Sequence, residues 1–183
     1  ENKALHATQE VISMGLANPI LIGRRSVIEE KIKKLGLRLT AGVDFEIVDN
    51  EDNPRYEECW KHYYELTKRK GTPAIAKRVV RSNTTVLAST LVSLGYADGL
   101  VCGLFGSYGK HLASIKDIIG LKDGVKVAAA LNSLVLPTGN VFLTDTHVNT
   151  NPTAEELAEI TLMAAEEIHR FGIEPAVALL SHS

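Results

Sequence analysis

Apolar runs of strand length alternate with amphipathic helical patterns along this chain, and that alternation restricts its folding more than any other feature. A chain of this kind builds βαβ units, with helices flanking a mainly parallel sheet. Strands are expected over 19–23, 44–48, 99–102, 126–136, 141–144 and 176–180. Pro137, Thr138, Gly139 and Asn140 separate two of these runs as a hairpin turn would, so one pair is antiparallel and the sheet is mixed.

Helix boundaries are marked by capping chemistry. Ser26 and Glu29 form the pattern of a capping box ahead of a helix over 27–35, which Gly36 stops; Thr153 and Glu156 form another. Pro54 and Pro73 occupy first helical positions behind Asn53 and Thr72. After Thr153, residues Leu157, Ile160, Thr161, Ala164, Ala165 and Ile168 recur with helical period and predict a face packed on a sheet. Cys59, Trp60, Tyr63 and Leu66 line one side of the Pro54 helix and are expected in the core. The chain opens in a helical pattern (Ala4, Leu5, Thr8, Val11, Ile12) and closes on the apolar run before Ser181, His182 and Ser183. The expectation is a fragment of one domain, residues 1–183, lacking its first strand and its C-terminal segment.

With 183 residues the chain can bury one large core or two small lobes. A hydrophobic share of 45% against 23% charged residues argues against disorder, and a net charge of −2 provides no basic field for nucleic acid. No apolar run reaches membrane-spanning length and no secretory leader is evident, so a cytoplasmic protein is expected. Cys59 and Cys102 lack metal-ligand spacing and are read as reduced and buried.

Two segments carry candidate chemistry. The first follows the expected 99–102 strand: a glycine-rich loop, Gly103 to Lys110, that leads into a helix. Amides at a helix start, reached by a loop with little side-chain bulk, suit a phosphate or carboxylate. Gly106, Ser107, Tyr108, Gly109 and Lys110 are therefore candidate ligand-binding residues; the alternative is a loop that only turns tightly. It is not a Walker motif, because its glycines are misspaced and His111 stands where a magnesium-binding hydroxyl belongs. The second segment runs from Thr144 to Thr153. Asp145 and His147 lie two apart on an extended stretch and could form an acid/base pair, with Asp145 also a candidate ligand contact. The alternative is turn and cap chemistry through Asn149, Asn151 and Thr153. The run Lys68-Arg69-Lys70 reads as the solvated end of a helix.

The stretches LANPILIG, YYELTKRKG, LGYADGLVCG and NPTAEELAEI…FGIEPAVALLSHS resemble the phosphate acetyltransferase/butyryltransferase family over essentially the whole chain. AGVDFEIVDNEDNPRY, GLFGSYGKHL and AEELAEITLMAAEEIHRFGIEPAVALLSHS are most similar to the phosphotransacetylase-like C-terminal domain of bacterial NADP-dependent malic enzymes. The resemblance implies an α/β phosphotransacetylase-like (isocitrate/isopropylmalate dehydrogenase-like) architecture of two lobes, with a coenzyme A cleft and a homo-oligomeric assembly. The acetyltransferases of the family carry arginines where this chain has Thr67 and Ala113. Guanidinium forks are the usual means of holding a small dianion, and neither replacement can do so. The family's Ser-Arg pair and thiol carboxylate would lie beyond residue 183, so no catalytic residue and no metal ligand is assigned here.

The resemblance implies a regulatory domain that binds acetyl-CoA, while the rest of a malic enzyme oxidatively decarboxylates malate to pyruvate with NADP and a divalent metal. The alternatives are an active phosphate acetyltransferase and a structural oligomerisation domain. No nucleic-acid or membrane partner is expected.

Overall fold

The computed structural model describes residues 2–67 and 71–180. The basic run Lys68-Arg69-Lys70 and the closing Ser181-His182-Ser183 lie outside the described residues. The chain divides into two compact units, Glu1–Gly120 and Leu121–Ser183.

The first unit holds α1 (Asn2–Ser13), β1 (Ile20–Ile22), α2 (Arg25–Leu35), β2 (Glu46–Val48), α3 (Tyr56–Thr67), α4 (Pro73–Ser82), α5 (Thr84–Ser93) and α6 (Tyr108–Ile118). β1 and β2 pair in parallel, with Leu21 opposite Ile47 and Ile22 opposite Val48. Alternation along the strands sends these pairs to opposite faces. Ile20, Ile22 and Val48 join a cluster with Cys59, Val80, Val86, Leu87, Leu91 and Ile118. Leu21 and Ile47 join another with Leu5, Ile32, Leu39 and Phe45. A parallel pair covered on both faces favours apolar residues on both, as in Ile20–Ile22, whereas β2 opens on the exposed Glu46 before Ile47 and Val48.

α5 is buried nearly all round, and burying Leu87 and Leu91 stabilises the unit by about 1.5–3 kcal/mol each. Among the residues expected in the α3 core, Cys59 is fully buried and Trp60 and Tyr63 pack on the cluster, whereas Leu66 is exposed. Thr67 turns inward instead, and its hydroxyl donates to the Tyr63 carbonyl at 2.7 Å.

Caps follow the local signals in part. Thr72 caps α4 with Pro73 behind it, and Gly36 ends α2 in the left-handed conformation (φ 65°). Ser26, however, does not cap α2. The helix starts two residues earlier, at Arg25, and the carboxylate of Asp49 accepts the Arg25 amide at 2.7 Å from just past β2. That hydrogen bond, chiefly, holds the Asp49 carboxyl below its usual value.

The second unit holds β3 (Asn132–Leu136), β4 (Gly139–Leu143) and α7 (Ala154–Arg170). β3 and β4 form the expected antiparallel hairpin, with Leu136 opposite Gly139, so the turn is Pro137-Thr138 and Gly139-Asn140 already belong to the strand. α7 carries the full Thr153/Glu156 capping box and buries Ile160, Ala164 and Ile168. Phe171 at its end meets Phe142 of β4 with ring centroids 5.6 Å apart.

Two expected strands take no ladder among the described residues, and a third, expected over 126–136, pairs only from Asn132 on. Segments 99–102 and 176–180 are unpaired, and Val101, Leu179 and Leu180 are exposed. Residues 126–131 bond to side chains instead: the Lys126 amide to Glu159 at 2.7 Å and the Ala130 amide to Asp145 at 3.0 Å. An apolar run becomes a strand only where a neighbouring segment completes its backbone hydrogen bonds. Cys102 is accordingly exposed, contrary to its expected burial. No described helix is long and apolar enough to cross a membrane.

Candidate functional site

The Gly103–Lys110 loop lies on the surface of the first unit and delivers the chain into α6. Gly103 and Gly106 have φ of 100° and 95°, which only glycine adopts readily. Ser107 is the N-cap of α6, and its hydroxyl makes no capping hydrogen bond. The Lys110 and His111 amides both bond to the Ser107 carbonyl, at 3.0 and 3.2 Å, which closes the first turn. Tyr108, Gly109 and Lys110 form that turn and are exposed. The loop thus brings Gly106, Ser107, Tyr108, Gly109 and Lys110 together at a helix start.

One residue that the sequence gave no reason to select holds this geometry. His111 places Nε2 2.6 Å from the Phe105 carbonyl and Nδ1 2.8 Å from the buried Thr85 hydroxyl of α5. A carbonyl only accepts, so Nε2 carries a proton, and in the neutral ring Nδ1 then accepts from the Thr85 hydroxyl. The imidazole therefore ties the loop to α5. A Cβ on Gly106 would lie 2.9 Å from His111 Nε2, so the close approach and the positive φ both require glycine there. Nothing local to His111 announces this role, because Thr85 is 26 residues away.

Asp145 belongs to the second unit, and its carboxylate serves its own turn. Oδ1 accepts the Ala130, His147 and Val148 amides at 3.0, 3.4 and 3.3 Å. Oδ2 accepts the Asn149 amide and side chain, both at 2.6 Å. Burial pushes this carboxyl up, but the bonds from Ala130 and Asn149 outweigh it and the net shift is downward. His147 contributes its amide to Asp145, while its Nδ1 pairs with the Thr146 hydroxyl at 2.7 Å. The turn-and-cap alternative accounts for these contacts, and Asn149 adds a bond to the Ala128 carbonyl at 2.8 Å.

Thr67 is buried at the end of α3 and Ala113 lies exposed on α6. Among the described residues, no group of three His, Cys, Asp or Glu is placed to hold a metal ion.

The family described as phosphate acetyl/butaryl transferase matches residues 1–183. The chain belongs to that family. Its transferase-family fold is shared with a phosphotransacetylase from Streptococcus pyogenes: TM-score 0.90, 27% identity, 99% of this chain and 54% of that one. The NADP-dependent malic enzyme of Haemophilus influenzae (strain ATCC 51907 / DSM 11121 / KW20 / Rd) is 97% identical over all of this chain, which covers 24% of that protein. The NADP-dependent malic enzyme of Escherichia coli (strain K12) is 56% identical over the same span and share. The chain thus spans about a quarter of the length of these curated relatives.

Proposed function

We propose that this chain is the regulatory, acetyl-CoA-binding part of a NADP-dependent malic enzyme. The supporting observation is the 97% identity to a malic enzyme in a chain with Thr67 and Ala113 where the family's acetyltransferases carry arginines. On this reading 1–183 is part of one phosphotransacetylase-like domain in a homo-oligomer, and oxidation of malate with NADP and a divalent metal belongs to the rest of the protein. The α6 amides, the Ser107 hydroxyl and Lys110 are the groups here that suit the anionic parts of a coenzyme A thioester. Gly106 lets the backbone approach, and Tyr108 offers an exposed ring beside it. Asp145 is the weakest of the ligand contacts, because its oxygens already hold backbone amides. An effector works only through differential affinity for two states, and contacts shared between subunits would supply it.

The test is malate oxidation by the full-length protein across an acetyl-CoA titration. Lys110→Glu is expected to shift the response to higher acetyl-CoA by about tenfold while turnover without effector stays near normal. An unchanged response would remove the loop from the effector site. The family's name supports a second reading, transfer of acetyl groups between coenzyme A and phosphate. Formation of acetyl phosphate by the unmodified full-length protein would establish it.

A further inference from the structure

A second basic constellation lies away from the glycine loop, on the outer side of α3 and α4. The inward face of α4 is apolar, with Ala76 and Val80 buried, so its charged residues must emerge opposite. Lys77, Arg78 and Arg81 do so, and with Tyr56, Glu57 and Ser82 they line an open groove of about 570 Å³. That size suits a small molecule.

Two of the three cations are held over aromatic rings. The Arg81 guanidinium stacks 4.7 Å from the Tyr56 ring centroid, and Lys77 Nζ sits 4.4 Å from that of Trp60. The Tyr56 hydroxyl donates to the Lys77 carbonyl at 2.9 Å and Asn50 donates to the Arg81 carbonyl at 3.1 Å, which pins the helix that carries them. Stacking occupies the face of a guanidinium and leaves its in-plane N–H donors open. Among the described residues none of the three has a carboxylate within ion-pair distance. The one acid in the groove, Glu57, pairs with Lys61 at 3.3 Å and also feels the charge of Lys77. Three positive charges thus gather around a single acid on one face of a chain whose net charge is −2.

We propose that the α3–α4 groove is a binding site for a diphosphate-bearing small molecule, held by Lys77, Arg78 and Arg81. Lys77 and Arg81 lie one helical turn apart and Arg78 beside them, so the cations can reach two adjacent phosphoryl groups. Arginine forks favour phosphate because they bond two of its oxygens at once. The proposal goes beyond the effector reading and does not use the glycine loop.

The test is calorimetric titration of the full-length protein with inorganic pyrophosphate. Binding is expected, and it should weaken with added salt. Arg78→Gln/Arg81→Gln should lower the affinity by about tenfold or more, and Lys34→Gln, on α2 and outside both sites, should leave it within about twofold. Because Arg81 stacks on Tyr56, its loss could disturb the helix; Arg78→Gln alone must therefore also weaken binding in a protein with unchanged circular dichroism. Coenzyme A and ADP then compete with pyrophosphate in separate titrations: displacement by both identifies the shared diphosphate, and displacement by ADP alone identifies a free nucleotide. Absence of pyrophosphate binding, unchanged affinity in both arginine variants, or binding of an acidic peptide in its place would overturn the proposal. None of these outcomes touches the acetyl-CoA response of Lys110→Glu, so the two readings fail separately.

Discussion

His111 Nε2 lies 2.6 Å from the carbonyl of Phe105, and the same ring reaches the Thr85 hydroxyl at 2.8 Å, so one imidazole joins the glycine loop to the buried helix α5. Gly106 passes so close beneath that ring that a single methyl group would meet it at 2.9 Å. The conformation of the candidate loop is therefore set from its far side.

Gly106→Ala should strain the loop twice, through its φ of 95° and through the contact with His111, at a combined cost of about 1–3 kcal/mol. Limited proteolysis of the full-length protein should show faster cleavage within 101–108. His111→Ala should loosen the loop as well. The double variant should lose less than the two single losses added, because the contact needs both partners. Strict additivity would show that the ring and the glycine do not constrain each other.

Asp145→Asn should unfasten the turn before α7, since an amide nitrogen would face hydrogen-bond donors where an oxygen now accepts them. The loss of charged hydrogen bonds is worth about 1–3 kcal/mol. Hydrogen exchange at Ala130, Val148 and Asn149, followed by mass spectrometry, should read it as faster exchange. The native carboxyl titrates below its ordinary value of 3.8. Its contribution is therefore full above 3.8 and is lost as pH falls through the lowered native value. The parent and the variant should converge in that acid window. A difference that persists there would assign the effect to packing instead of charge.

Cys59 and Cys102 should differ sharply toward alkylation. Burial pushes the Cys59 thiol up to about 11, which leaves almost no thiolate at pH 8, whereas Cys102 is exposed. Peptide mapping after brief iodoacetamide treatment should find label on Cys102 and none on Cys59 until the protein is denatured. Label on native Cys59 would mean that the α3 core opens on the labelling timescale.

Elements whose signals lie within one or two turns of chain are legible in the amino-acid sequence. The α7 capping box joins residues three apart, Thr153 and Glu156, and its apolar face follows from helical period alone. Thr72 before Pro73, Gly36 after α2 and the helix that follows the glycine loop are legible for the same reason. β1 was legible as a short apolar run, because burial on both faces removes polar alternation, whereas β2 keeps the exposed Glu46 at its start.

Which distant groups meet depends on how each unit packs. Asp49 displaced Ser26 as the partner of the α2 start because β2 ends beside that helix, 24 residues along the chain. Residues 126–131 gave up a ladder for Glu159 and Asp145, and the 99–102 run found no strand to pair with among the described residues. Lys77 and Arg81 look like ordinary solvated charges until the rings of Trp60 and Tyr56 appear beneath them. Periodicity reports which side chains share a face, but a hydrogen bond or a stacked ring needs a partner whose position depends on how the whole unit packs.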